Sequence, residues 1–168
     1  RLLDRELRQP LETSLIAEDG VSVAGLVQAV QDVLQSASPL VPVLQPHAPR
    51  LLALVGGLTL HPVAQLLLTA AQTARPAHYA HAVAAMALNG ALMAADGGDD
   101  AAVRLALLSG LLHDVGEMYI DPLHGEAEAD RDLDFASYQQ LVVHPHVGYL
   151  LVAQLTNYPA EVARAIAE

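Results

Sequence analysis

Apolar residues recur at helical spacing along most of the chain. Val23, Leu26, Val27, Val30, Val33 and Leu34 repeat every three to four positions, and Ser22 can cap the helix they predict just after an Asp19-Gly20 turn. Before that turn, Leu2 to Gln9 reads as a short helical segment stopped by Pro10. Pro39, Pro42, Pro46 and Pro49 then interrupt any regular element and predict an irregular linker from Ser38 to Pro49. The division that follows is a helical extension with its Pro-rich linker over 1–45 and a main helical core over 46–168. The extension could serve regulation or assembly, and its expected structural role is to pack on the core as added helices.

Arg50 to Leu60 is an apolar segment containing Gly56-Gly57, and Pro62 suits the first residue of a helix running to about Arg75, with His61 as a capping or surface residue. Pro76 opens the next helix, which carries His78 and His81 to about Ala95. After Asp96-Gly97-Gly98, Asp99 caps a helix leading into Leu111-Leu112-His113-Asp114-Val115-Gly116-Glu117, which Gly116 should end. Asp121 to Asp134 reads as a solvated acidic loop, without the ligand pattern of a calcium-binding EF-hand. Helices are predicted over Phe135–Val143, from His144 to about Leu155, and from Pro159 onward.

The helix before His113 leaves almost no polar stripe: Val103, Leu105, Ala106, Leu107, Leu108, Leu111 and Leu112 cover nearly every side. A carboxylate set in such a run must be paired, protonated or bound to a metal. His113-Asp114 is thus either a metal site or a neutral histidine hydrogen-bonded to a core aspartate, and distant residues must decide.

Composition narrows the fold class. Within 168 residues, 53% are hydrophobic but only 4% aromatic, so the core is built from Leu, Val and Ala, which favours an all-α fold. The absence of cysteine excludes disulfides, thiolate catalysis and cysteine zinc sites. Eight Arg, no Lys and nineteen acids leave a formal charge of −11, which excludes a nucleic-acid binder because the chain lacks the cations that release phosphate counterions. A phosphate-ester substrate would then depend on bound metal or a few placed arginines for local positive charge. No apolar run reaches the roughly eighteen residues a membrane span needs. The opening RLLDRELRQP lacks a signal-peptide core and begins with Arg, the expectation for an internal piece of a longer cytoplasmic protein.

His81, His113-Asp114 thirty-two positions later, and His144-Pro145 with Gly148 form an ordered set. Together with the words LLHDVGEMYIDP and HPHVGYLL, and with Leu133-Asp134 before the His-Pro helix, this set resembles the HD phosphohydrolase superfamily, most closely its HD-GYP branch, over about Pro76 to Glu168. The resemblance implies an HD-type helical bundle with a divalent metal centre, usually two iron or manganese ions, that hydrolyses a phosphoester. For HD-GYP proteins this is the bacterial messenger cyclic di-GMP. It implies His81, His113, Asp114 and His144 as metal ligands, with Asp114 bridging as the catalytic residue. Adjacent helical residues face different ways, so His113 and Asp114 suit two ions better than one.

Other residues keep alternative readings. His78 shares a helix face with His81 and is either an outer partner of the site or exposed. His146 is expected to face solvent, and His47 and His124 fall in expected loops without a motif. Glu117 stands where the family has a Lys, and either faces the metal site as an outer acceptor or additional ligand, or points to solvent, the direction Gly116 would allow. Ala77 stands where some members carry a Glu for a third metal, so two metals are the upper expectation. The family's H-H-E and G-Y-P motifs would fall beyond Glu168, so residues 1–168 alone are expected to hydrolyse poorly. The second function class is a non-catalytic module, similar to HDOD domains or degenerate HD-GYP outputs, that binds signalling partners or assembles into an oligomer.

Overall fold

The Ser22 hydroxyl accepts a hydrogen bond from Gly25 N at 3.1 Å, and this cap starts α1 (Val23–Gln35). In the computed structural model, which describes residues 20–119 and 135–167, there follow α2 (Val41–Leu44), a 3-10 turn (Gln45–His47), α3 (Ala48–Gly56), α4 (Pro62–Ala74), α5 (Pro76–Ala95) and α6 (Asp100–Leu112). A second 3-10 turn (Val115–Tyr119) leads toward α7 (Phe135–Leu141), α8 (His144–Leu155) and α9 (Ala160–Ala167). No strand occurs among the described residues, so the fold is all-α as expected. The Leu2–Gln9 segment, the acidic loop and Leu133-Asp134 lie outside the described residues.

The segment expected to be an irregular linker is mostly helical. Pro42, Pro46 and Pro49 each occupy the first turn of their element, where the missing N–H has no partner to lose and the fixed φ suits the helix. Leu44, between them, is fully buried. Residues on either side of residue 45 share one core: Leu26 and Val30 of α1 join Leu51 of α3, Met86 of α5 and Leu107 of α6. The described part of the extension, residues 20–45, packs on the core as added helices, because its apolar stripe must be covered and each buried Leu or Val contributes about 1.5–3 kcal/mol.

The α5–α6 pair is the centre of the molecule. Tyr79, Val83, Met86 and Ala87 face Val103, Leu107 and Leu111, all buried. At Gly110 a Cβ would stand 2.7 Å from the Ala85 carbonyl oxygen, so a side chain there would force the helices apart. The N-cap Asp99 accepts from Ala102 N at 2.8 Å as expected, and the His61 ring caps α4 through Nδ1, which accepts from Val63 N at 3.2 Å. Across the surface, Arg50 donates to Asp100 at 2.8 Å and to the Gly98 carbonyl at 2.8 Å, joining the starts of α3 and α6. The Tyr158 hydroxyl accepts from His61 N at 2.7 Å, tying the turn before α9 to the start of α4. No helix among the described residues is long and apolar enough to cross a membrane.

Candidate metal centre

Helix α6 stops at Leu112, earlier than the expected end at Gly116. His113 and Asp114 form the turn that follows, and Val115–Tyr119 winds as a 3-10 turn. The reason lies at Gly116: a Cβ there would fall 2.0 Å from the His144 carbonyl oxygen and 2.7 Å from Gly148 N. The turn lies against the first turn of α8 backbone to backbone, with Gly148 also buried. Both motif glycines therefore remove side chains from one contact, which brings Asp114 to His144. Arg75, at the junction of α4 and α5 and only 8% exposed, holds the same turn by donating Nη1 to the Glu117 carbonyl at 2.9 Å.

Three imidazoles converge on the Asp114 carboxylate. His113 Nε2 lies 2.8 Å and His81 Nε2 3.2 Å from Oδ2, while His144 Nε2 lies 3.3 Å from Oδ1. The Nε2 atoms of His81 and His113 are 3.2 Å apart. The structure thus brings together His81 from α5, His113 and Asp114 after α6, and His144 from α8. Asp114 is 17% exposed and His81 60% exposed, so the cluster opens to solvent on the His81 side.

The other ring nitrogens determine the chemistry. His113 Nδ1 donates to the Gly110 carbonyl at 2.8 Å, and His144 Nδ1 donates to the Leu141 carbonyl at 2.6 Å. A carbonyl only accepts, so Nδ1 carries the proton in both rings and a neutral imidazole turns its Nε2 lone pair toward Asp114. Lone pairs on these two nitrogens and on the two carboxylate oxygens then face a common space, which a proton or a cation between them would satisfy. Burial alone would lower the pKa of His113, but hydrogen bonds and charge from Asp114, the Gly110 carbonyl and Glu117 outweigh it and raise the pKa above the ordinary 6.5. Burial likewise pushes the Asp114 carboxyl up, and the His113 hydrogen bond with the charges of His113, His144 and His81 brings it below its ordinary 3.8. A proton on His113 satisfies one contact of the set, whereas a divalent cation satisfies several together. Metal–ligand bonds of about 2.0–2.2 Å put neighbouring ligand atoms about 3–4 Å apart, close to the 3.2 and 3.3 Å separations here, while the 2.8 Å between His113 and Asp114 is a hydrogen-bond length. The nitrogen and carboxylate donor set fits iron, manganese or zinc.

Glu117 does not point to solvent. Its side chain is 15% exposed and lies 3.4 Å from His78 Nδ1, itself 13% exposed. The 3-10 turn reverses the direction expected from a helix ending at Gly116, and it carries the carboxylate beside Asp114 and His144. The donor atoms fall into two triads, His81-His113-Asp114 and Asp114-Glu117-His144, each with its atoms within 4.8 Å of one another. His146 faces solvent beside the Tyr149 ring as expected, and His47 sits in the first 3-10 turn outside both triads. Sequence reasoning missed Arg75; its place immediately before Pro76 was the available signal, because a helix junction in a Leu-rich core has few other ways to bury a cation.

A separate groove of about 570 Å³ between α5, α6 and α9 is lined by Leu92, Met93, Asp96, Ser109 and Glu161 among others. It contains neither imidazole nor basic side chain, so it offers an anion no positive partner. The His-Asp cluster is the better-equipped chemical site. The chain matches no family model, no curated protein and no solved structure.

Proposed function

We propose that this chain is a metal-dependent phosphohydrolase of the HD type, closest to the HD-GYP branch, acting on a phosphodiester such as cyclic di-GMP in bacterial cytoplasmic signalling. The observation that supports it most is the convergence of three Nε2 atoms on the two oxygens of Asp114, those of His81 and His144 coming from helices about thirty residues away on either side. Divalent ions bound there would supply Lewis-acid polarisation of a phosphoryl oxygen and neutralise charge during displacement. Asp114 bridges the two sides of the cluster, one oxygen toward His81 and His113 and the other toward His144. The Gly110 and Leu141 carbonyls fix the rings of His113 and His144 in orientation and tautomer. His81, the most exposed member, stands where substrate would enter, and positive charge at the centre would offset the −11 field of the chain.

The second reading is a non-catalytic HDOD-like or degenerate HD-GYP module. It is favoured by Glu117, which adds a second carboxylate beside Asp114 and His144 and so more negative charge at a cluster that would have to accept an anionic substrate. Because residues 1–168 alone are expected to hydrolyse poorly, hydrolysis of bis(p-nitrophenyl) phosphate and cyclic di-GMP by the parent protein with added Mn2+ or Fe2+ separates the readings. The hydrolase requires turnover that chelation removes and that Asp114→Asn abolishes. Metal binding without turnover of either ester would favour the module.

A further inference from the structure

The two triads share Asp114 but differ in chemistry. His81, His113 and Asp114 offer two nitrogens and one oxygen, whereas Asp114, Glu117 and His144 offer two oxygens and one nitrogen. Asp114 is divided between them in the same sense, Oδ2 toward His81 and His113 and Oδ1 toward His144. Glu117 is largely buried, and its charged end meets His78 at 3.4 Å. A sheltered carboxylate requires a cation or strong hydrogen bonds, and its position beside Asp114 adds a second negative charge that repels the first.

We propose that Glu117 is a direct ligand of a second cation site, which it forms with His144 and Oδ1 of Asp114, and that the metal centre is therefore chemically asymmetric. The inference rests on the metal-dependent reading above and assigns to Glu117 a role opposite to that of a phosphate-binding Lys. The nitrogen-rich side holds Zn2+ or Fe2+ more tightly, because imidazole suits those ions, while the carboxylate-rich side retains Mn2+. His78 acts through Glu117: its Nδ1 is placed to orient the carboxylate, as partners behind a metal ligand commonly do. Arg75 fixes the backbone of the same residue, so two side chains from the α4–α5 junction and the start of α5 position one ligand.

The test is a binding experiment on the full chain. Metal-free protein is loaded with Mn2+, bound Mn2+ is counted by electron paramagnetic resonance, and Zn2+ is then added in steps. Wild type should hold two Mn2+ ions and release one to the first equivalent of Zn2+. Glu117→Gln, which keeps the shape, should bind one Mn2+, with the second site weakened roughly tenfold or more, and release that ion to the first equivalent of Zn2+. Glu117→Asp should restore part of the second site. His81→Ala should weaken the other site and leave the Glu117-dependent ion in place. Circular dichroism of each variant checks that the helices are retained. Two ions bound equally well by Glu117→Gln and wild type, or a single ion in wild type, would overturn the inference. Neither result depends on turnover, so absence of hydrolysis by the parent protein with both ions bound counts against the proposed activity and leaves the asymmetric centre intact.

Discussion

The two sides of the cluster are held in place by different forces. On one side, His81 and His113 ride on α5 and α6, whose facing surfaces are filled by Val83, Met86, Leu107 and Leu111. On the other, Asp114 and Glu117 meet His144 through a backbone contact at Gly116 and Gly148, with Arg75 bracing the turn. Val115, Val152 and Ile166 are the buried apolar side chains near that contact. One side is fixed by side chains that fill space, the other by side chains that are absent. Packing of the first kind contributes most of the stability and loses it gradually, while contact of the second kind depends on distances that one methyl group destroys.

The largest expected effect comes from the packed side. Leu107→Ala should cost about 2–5 kcal/mol of stability, the range for a buried Leu that leaves a cavity, while the protein that remains folded keeps its Mn2+ stoichiometry. Urea unfolding paired with equilibrium dialysis measures both quantities. Loss of metal with little loss of stability would show that the two sides are not held separately.

Gly116→Ala should have the opposite profile. Its methyl meets a carbonyl oxygen of α8 and not the end of a flexible side chain, so we expect about 3 kcal/mol, the upper part of the usual overpacking range, together with separation of His144 from Asp114 and loss of tight Mn2+ binding. Gly148→Ala meets the β-branched methyl of buried Ile166 at 2.9 Å and backbone, the Gly116 nitrogen, only at 3.4 Å, and should cost less, about 1–2 kcal/mol. Equal effects of the two alanines would contradict the backbone contact.

In the proposed centre, bound metal would bridge the two sides. At one hundred times the dissociation constant, Mn2+ should add about 2.7 kcal/mol, or about 5–10 °C in midpoint for a chain of this size. The gain should disappear with chelator or in Asp114→Asn. A melting temperature insensitive to Mn2+ would remove the ion from the account of the fold.

The smallest effect is the pH dependence of the metal-free protein. The raised pKa of His113 means the folded state favours the imidazolium, so its contribution is complete below 6.5 and is lost as pH rises through the raised value. The lowered pKa of Asp114 means its contribution is present above 3.8 and is lost as pH falls through the lowered value. From these two groups, stability in chelator should be higher at pH 5 than at pH 8. Mn2+ affinity should run the other way, because the ligands must release protons to bind. Denaturant midpoints at the two pH values, with and without Mn2+, should therefore change in opposite senses; parallel changes would argue against shared ligands.

Much of this was legible in the chain before folding. Helical spacing from Val23 to Leu34, Ser22 and Asp99 as caps, and Pro62 and Pro76 as starts are local signals, and local hydrogen bonds and sterics settle them. His81, His113-Asp114 and His144 were legible as candidates, since polar groups set in apolar helices need a common partner; that they meet was decided by the packing of α5, α6 and α8. The prolines between Ser38 and Pro49 misled, because Pro in a first helical turn and Pro in a linker look alike until the covered face, here Leu44, is known. The direction of Glu117 was not a local property. It follows from where α6 stops, which depends on how closely the turn approaches α8, and that distance is set by two glycines thirty-two residues apart. By itself the sequence determined helices, caps and the kinds of donor at hand. Only the tertiary structure decided which oxygen of Asp114 serves which histidine, and that Glu117 turns inward, because both depend on backbone separations between elements that no local pattern encodes.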